Sequence, residues 1–256
     1  MGRGPVVEKK KNQSNALRQK AFSIHAKLIS IAAEKGGDPD KNPSLCDAIE
    51  KARKDNVPNE NILRAIKKGT GEDKSATQIT QIIYEGYGPG GVAIIVSTLT
   101  DNKNRTAPNI RHIFSKYGGN MGEPGSVSFI FERKGILAID LENYSSESLE
   151  ELVFETDVED FWQEDGMFKI ITSIDSFVKV KKFFEAKNIN SEFADIDYIP
   201  STIVEVDDFD KALKLTKMIE AFNEDEDVEK ISVNMNISDK LQKEVDDFID
   251  KNTFRT

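Results

Sequence analysis

The sequence predicts an α+β protein of three domains, in which a three-helix domain precedes two ferredoxin-like α/β domains. Three observations support this prediction. Residues 14–69 contain apolar stripes that repeat every three or four positions, which is typical of amphipathic helices. Residues 135–199 alternate strands and helices in the order βαββαβ, the split-βαβ arrangement. Residues 92–133 and 202–237 each show a βαβ pattern, and together they would complete a second domain of that type.

Three amphipathic helices are predicted in the helical segment, and each has a recognisable end. The first stops at Gly36, because glycine readily adopts the backbone conformation that closes a helix. The second begins at Asn42, a capping residue type, with proline in the first turn. The third follows the break at Pro58 and stops at Gly69. Their narrow apolar stripes predict a small helical bundle.

The first α/β stretch begins with a strand candidate, Ile79–Glu85, and a glycine-rich turn. The apolar run Val92–Leu99 predicts a second strand, and the run Val127–Phe131 predicts a third. Between these two runs lies a short amphipathic helix that stops at Gly118. The two runs and the helix make up the first of the βαβ patterns.

The later elements follow from the same two periodicities. Strands are predicted at Ile136–Leu141, Val158–Gln163, Met167–Thr172, Glu192–Tyr198, Thr202–Val206 and Val228–Ile237, and helices at 146–155, 175–187 and 209–222. The resulting domain limits are 1–75 for a basic helical domain with an N-terminal arm, 76–134 with 200–240 for a discontinuous α/β domain, 135–199 for a domain inserted into it, and 241–256 for a tail or frayed helix.

Charge is unevenly spread along the 256 residues, whose formal net charge is −10. Residues 1–75 contain 16 basic and 10 acidic side chains, residues 76–133 contain 5 and 4, and residues 134–256 contain 14 and 31. A basic head on an acidic body predicts that one end of the protein contacts a polyanion. The alternative is that the basic residues form an ordinary solvated surface around the apolar stripes.

Composition argues against several classes of protein. Cys46 is the only cysteine, and neither His25 nor His112 has a second histidine nearby, so a disulfide is excluded and a zinc site lacks ligands. The sequence shows no pairing of a nucleophile with a base, so we expect no enzyme, cofactor, metal or small-molecule substrate. It has no apolar run of about 18 residues and no signal-peptide core, so we expect a cytoplasmic protein without membrane contact.

The arm and the helical segment supply most of the candidate contacts to nucleic acid. Basic side chains that neutralise phosphates release condensed counterions and bind in a salt-dependent manner. Such contacts position a protein on a nucleic acid without reading its sequence. The predicted set in this part of the chain is Lys9, Lys10, Lys11, Arg18, Lys20, Lys27, Arg53, Lys54, Arg64, Lys67 and Lys68.

A second group of candidates lies where a strand turns into a helix. Asn104 and Arg105 precede the helix, and Arg111 and Lys116 lie along it. Backbone N–H groups at a helix N-terminus attract anions, and Arg105 would add a bidentate phosphate contact. The alternative is a capping turn with Thr106 as the cap and proline in the first turn.

The glycines of residues 86–91 resemble a dinucleotide-binding loop only in their spacing. That motif follows a strand and opens a helix, whereas these glycines precede a strand. We therefore predict a tight turn or a flexible loop, in which glycine would permit close approach to a partner.

Several ordered blocks of this sequence resemble the YebC/PmpR family. They read GGDPDKNPSL, KARKDNVPNENILRAIKKGTG, YEGYGPGGVAIIV, TDNKNRT and IRHIFSKYGGNMGEPGSVSFIFERKG, and the resemblance extends over about residues 14–240. It implies three domains, one helical and two α/β. It also implies nucleic-acid binding, since the family is regarded as one of transcriptional regulators and its mitochondrial relatives as translational activators.

Charge distribution and resemblance together predict a non-enzymatic, DNA-binding regulator of transcription. The alternative is a translation factor that docks on the ribosome and contacts ribosomal RNA. The sequence shows no evident recognition-helix arrangement of a dimeric repressor, which would favour the alternative. The expected partner is therefore promoter DNA or ribosomal RNA.

Overall fold

The computed structural model describes residues 15–73 and 77–253 and shows an α+β protein. Within those ranges the helices are α1 Asn15–Ala33, α2 Pro43–Lys54, α3 Asn59–Gly69, α4 Lys103–Lys116, α5 Ser146–Val153, α6 Ile174–Ala186, α7 Phe209–Glu224 and α8 Asp239–Thr253. The strands are β1 Thr80–Tyr87, β2 Ala93–Thr100, β3 Asn120–Met121, β4 Phe131–Asp140, β5 Asp160–Glu164, β6 Met167–Thr172, β7 Phe193–Pro200, β8 Val204–Val206, β9 Val228–Val233 and β10 Met235–Ile237.

Helices α1, α2 and α3 pack around a common apolar cluster that includes Ile29, Leu45 and Ile62. Asn42 caps α2 as predicted, because its Oδ1 accepts a hydrogen bond from the Leu45 backbone N–H. The amide nitrogen of the same side chain donates to the carbonyl oxygens of Ala32 and Gly36, each at 2.8 Å. One buried asparagine therefore fixes the start of α2 against the end of α1.

A four-stranded antiparallel sheet with the order β3-β1-β2-β9 follows the helices. Strand β2 is buried along its whole length, and α4 and α7 share one apolar cluster with it. The two helices contact each other through the edge-to-face rings of Phe114 and Phe222. Strands β8 and β10 form a separate parallel pair. The sheet therefore differs from two joined βαβ halves, because β1 and β9 lie beside β2, β3 lies on the other side of β1, and β8 belongs to the separate pair.

The strand predicted at Val127–Phe131 is wrong. Residues 128–130 form a short 3-10 turn, and Phe131 begins β4, which belongs to another sheet. The buried carboxylate of Glu85 accepts hydrogen bonds from the backbone N–H groups of Gly125, Val127 and Ser128, each at 2.8 Å. These donors are therefore unavailable for a strand ladder, and the segment stays a loop.

Of the two possibilities for residues 241–256, a frayed helix or a tail, the structure shows a helix, since α8 extends to Thr253. Val245 is fully buried in the cluster that contains Leu215 and Met218 of α7. The apolar positions Leu241, Val245 and Ile249 lie on one face of α8, which explains why this stretch packs as a helix.

Residues 129–202 form one compact unit, and residues 15–128 with 203–253 form another. The first unit has the predicted order βαββαβ and an antiparallel sheet with the order β5-β6-β4-β7. Its core contains Leu137, Phe168 and Phe184 from the sheet and from α6. None of the helices in the described parts of the chain is long and apolar enough to cross a membrane.

Candidate nucleic-acid interface

The turn between β2 and α4 is built by short polar side chains. Asn102 is the helix cap, and its Oδ1 accepts hydrogen bonds from the backbone N–H groups of Asn104 and Arg105 at 3.1 and 3.2 Å. The prediction of Thr106 as the cap is wrong, because Thr106 lies inside α4, one helical turn after Asn102, and is fully buried. Because Asn102 already satisfies two backbone donors, fewer N–H groups remain for an anion at this helix end.

A buried carboxylate, Asp227, lies beside this turn at the start of β9. The guanidinium group of Arg105 donates to both of its oxygens, at 2.8 and 3.1 Å, and also to Asp101 at 3.1 Å. The hydroxyl of Thr106 lies 2.8 Å from Asp227 Oδ2. Asp227 is only 4% exposed, so its charge requires partners of this kind.

The third partner of Asp227 comes from the helical segment. Lys27 of α1 donates to Asp227 Oδ1 at 2.9 Å and to the carbonyl oxygen of Glu226 at 2.8 Å. Two helical turns earlier, Lys20 donates to the carbonyl oxygen of Asn223 at 2.6 Å. Two of the predicted phosphate ligands on α1 are therefore engaged with the end of α7 and the turn that follows it.

The protonation of these groups follows from burial and from their partners. Burial alone raises the pKa of Asp227, but hydrogen bonds from Arg105, Lys27 and Thr106 outweigh it and hold the pKa below its ordinary value. Burial lowers the pKa of Lys20 to about 8, although the nearby Asp225 opposes that change. The site around Asp227 is therefore a charged carboxylate between two cations at neutral pH.

The other predicted residues on the helices and on α4 lie nearer to solvent. Arg64 pairs with Glu60 at 2.8 Å across one helical turn, and this exposed pair contributes little to stability. Lys116 lies 5.2 Å from the ring centre of Tyr117. Arg64 and Lys116 are exposed and Lys68 is half-buried. The other exposed members of the set are Arg18, Arg53, Lys54, Lys67, Asn104 and Arg111. Lys9, Lys10 and Lys11 lie outside the described residues.

A groove between α1 and α3 brings three of the predicted residues together. It has a volume of about 420 Å³ and is lined by Lys27, Arg64 and Lys68, with Asp101 at the β2–α4 turn. Arg53 lies apart from it, at a shallow depression beside Asn56. The geometry thus concentrates positive charge along α3 and its groove.

Sequence reasoning missed Asp227 and Asp101, the carboxylates that hold Arg105. Asp101 is four residues before Arg105, so the spacing of one helical turn was an available signal. Asp227 lies 122 residues from Arg105 within an acidic run, and no local pattern singles it out.

The glycine-rich stretch before β2 contains a short 3-10 turn at Pro89–Gly91, in agreement with the prediction of a tight turn, and Gly86 and Gly88 ahead of this turn are buried. A Cβ atom at Gly86 would lie 2.5 Å from the Asn120 carbonyl oxygen and 2.8 Å from the ring of Phe114. At Gly88 it would lie 2.7 Å from Leu215. Close packing therefore explains the glycines at positions 86 and 88, whereas Gly90 and Gly91 adopt positive φ angles of 77° and 79° in the turn. No group of three or more His, Cys, Asp or Glu side chains suited to a metal occurs in the described ranges.

Comparison with known proteins places these features in a family. Residues 5–72 match the family model described as the TACO1/YebC protein N-terminal domain, and residues 79–235 match that of the TACO1/YebC second and third domain. The chain is 44% identical to a "Probable transcriptional regulatory protein" of Finegoldia magna over 229 residues, covering 89% of this chain and 95% of that protein. A protein of the same name from Carboxydothermus hydrogenoformans is 45% identical over 237 residues, with 91% and 96% covered.

A solved structure agrees with the sequence comparisons. The crystal structure of a conserved hypothetical protein from Aquifex aeolicus is similar with a TM-score of 0.84 and 40% sequence identity, and covers 91% of this chain and 96% of that one. Sequence and fold agree over nearly the whole length, and the chain therefore belongs to the TACO1/YebC family.

Proposed function

We propose that this protein is a non-enzymatic, DNA-binding regulator of transcription in the cytoplasm. The relatives named above carry the name of a transcriptional regulatory protein, which supports a regulatory role for this chain. The single observation that carries the nucleic-acid contact is the exposed positive charge on α2 and α3. Arg53 and Lys67 are exposed there and have no ion-pair partner in the described part of the chain.

The arrangement of α2 and α3 supports DNA as the target. Four residues, Asp55–Pro58, join the two helices, as in a helix-turn-helix unit. The outer face of α3 presents Arg64 and Lys67 around Leu63, whose side chain is 60% exposed. In such units the second helix enters the major groove. We assign that position to α3.

Ribosomal RNA is the second candidate, and the groove beside α3 favours it. Single-stranded and bulged nucleotides, which are abundant in folded RNA, are bound by pockets rather than by helices in a duplex groove. In this reading the protein would act in translation on the ribosome.

We further propose that the larger unit consists of two domains, which gives three in all. The cluster around Leu45 and Ile62 and the cluster around Phe114 and Phe222 are separate hydrophobic cores. The proposed limits are 1–75 for the helical domain and 76–134 with 200–240 for the α/β domain, with 135–199 inserted; α8 extends the α/β domain.

Binding measured over a range of salt tests the proposed contact. In one variant Arg53, Lys67 and Lys68 are changed to Ala; in the matched control, Lys179, Lys182 and Lys214, which are also solvent-accessible, are changed to Ala. Fluorescence anisotropy on duplex DNA and on a ribosomal RNA fragment should show weaker binding for the first variant and a salt slope reduced by about two to three units. An equal loss in the control would refute a dedicated basic surface.

Deletion of the gene distinguishes between promoter DNA and ribosomal RNA as the target. Pausing of ribosomes at particular codons with unchanged promoter occupancy would support translation and contradict transcription. Altered occupancy of specific promoters, together with gel shifts that distinguish one duplex from another at physiological salt, would support DNA.

A further inference from the structure

The groove between α1 and α3 has a polar end and a cationic end. Gly69 of α3 packs directly against Ser30 of α1, so the C-terminal ends of the two helices lie together. Lys68 therefore lies at that end of the groove, whereas Gln19 of α1 and Asn61 of α3 line the opposite end. Arg64 lies between the two ends on α3, one turn from each.

The side chains at the polar end are available to a ligand. The side-chain amides of Gln19 and Asn61 have no hydrogen-bond partner in the part of the chain that the structure describes. Each amide offers two donors and one acceptor, which suits the edge of a nucleobase. Phe22 and Ala26 of α1 contribute an apolar wall between these groups, and a base face packs well on such a wall.

We infer that this groove accepts one unpaired nucleotide of a nucleic-acid strand, with the base at the amide end and its phosphate near Arg64 and Lys68. The inference rests on the proposed nucleic-acid binding and deepens it. A volume of about 420 Å³ lies within the range of small-ligand sites but is far too small for a duplex. The groove therefore distinguishes unpaired from paired nucleotides.

The charges around the groove agree with this orientation. The ion pair of Arg64 with Glu60 is exposed, so a phosphate can replace the carboxylate at little cost. Guanidinium groups bind phosphate oxygens through two parallel hydrogen bonds. Asp101 also lines the groove, but Arg105 binds its carboxylate at 3.1 Å, which compensates that negative charge.

The test compares three probes: an RNA hairpin that is fully paired in its stem, the same hairpin with a one-nucleotide bulge, and the bulged hairpin made of DNA. We expect the bulged RNA to bind about tenfold more tightly than the paired one, the range of one base stacked on a protein wall. The DNA hairpin shows whether the ribose hydroxyl contributes. A preference shared by both bulged hairpins supports a nucleotide site, and a preference for RNA alone supports a site specific for RNA.

Variants of the groove complete the experiment. Ser23 is exposed and lines the groove, so Ser23→Trp fills it while leaving the helix core intact. This variant should lose the tenfold preference and keep its affinity for the paired hairpin, whereas Ser23→Ala should behave as the original protein. Asn61→Ala should reduce the preference. Circular dichroism and the thermal unfolding midpoint check that each variant is folded.

Two outcomes would overturn the inference, and they differ from each other. Equal affinity for bulged and paired hairpins, or a preference that survives in Ser23→Trp, refutes the groove as a nucleotide site while nucleic-acid binding stands. Absence of binding to all three probes refutes the proposed function as well.

Discussion

The ammonium nitrogen of Lys27 lies 2.9 Å from the carboxylate of Asp227, although 200 positions separate the two residues in sequence. Arg105 binds the same carboxylate from the β2–α4 turn. Two cations that the sequence suggested as phosphate ligands thus share one buried anion. The contact attaches α1 to the residue that precedes β9, and we expect its loss to lower the free energy of unfolding.

Removing the shared charge should destabilise the protein. We expect Asp227→Asn to lower the free energy of unfolding by roughly 2–3 kcal/mol, below the range for a fully buried pair because Arg105 is half exposed. Urea unfolding followed by circular dichroism measures the change. Glu226→Gln is the matched control, since only the backbone carbonyl of Glu226 contacts Lys27. Equal midpoints for both variants would contradict this role.

The same carboxylate should make stability sensitive to acid. The folded pKa of Asp227 lies below its unfolded value of about 3.9, so the folded state binds fewer protons in this range. The contribution of ionised Asp227 to the free energy of unfolding is complete at pH values above the unfolded pKa. It is lost as the pH falls through the folded pKa. Unfolding midpoints between about pH 6 and pH 2 should therefore fall less steeply in Asp227→Asn than in the original protein. Parallel curves would exclude the effect.

Arg105 and Asp227 should be coupled energetically. A double-mutant cycle with Arg105→Ala and Asp227→Asn should give an interaction free energy of about 1 kcal/mol, modest because Arg105 is half exposed and screened by solvent. Nucleic-acid affinity of folded Arg105→Ala provides the second measurement. Lower affinity at unchanged stability would instead support the anion-binding role and argue against a purely structural one.

Lys20 should titrate near neutrality and affect stability in mild base. Its folded pKa is about 8 against an ordinary value of 10.5. Between those values the unfolded chain binds the proton and the folded chain does not, so stability should rise with pH through that interval. Lys20→Met should abolish this rise. Nitrogen NMR of the lysine ammonium groups, compared with the Met variant, gives the pKa directly; a Lys20 signal unchanged up to pH 10 would contradict the expectation.

The N-terminal arm should contribute salt-dependent binding. We expect simultaneous replacement of Lys9, Lys10 and Lys11 by Ala to weaken nucleic-acid binding and to flatten its dependence on salt. Because the change removes charge without regard to sequence, all probes should lose affinity to a similar extent. Unchanged affinity would remove the arm from the interface.

Local patterns predicted most elements, because apolar periodicity and caps depend on neighbours in sequence. Asn42 was recognised as a cap from the proline that follows it, and the structure agrees. At the β2–α4 turn the prediction of Thr106 as the cap was wrong. Asn102 is also a capping residue type, and its side chain accepts the backbone hydrogen bonds, whereas the hydroxyl of Thr106 contacts the distant Asp227.

The remaining errors come from contacts between distant residues. The apolar run at Val127–Phe131 has the composition of a strand, but Glu85 binds its backbone donors from 42 residues away. The candidate site shows the same limit. Lys27 has the sequence context of a solvent-facing helix residue, and its buried partner Asp227 becomes a neighbour only through the fold.

The strand ends Phe131 and Pro200 are paired, and the Ser201 N–H donates to the Ile130 carbonyl oxygen at 2.8 Å. The chain therefore enters and leaves the segment 131–200 at two adjacent residues. A two-residue Asn-Gly linker could replace everything between Ile130 and Ser201. Such a shortened chain should still unfold cooperatively. A different domain whose termini are adjacent could be inserted at the same point. Natural lineages would have had the same freedom to exchange this module while the remainder of the molecule kept its shape.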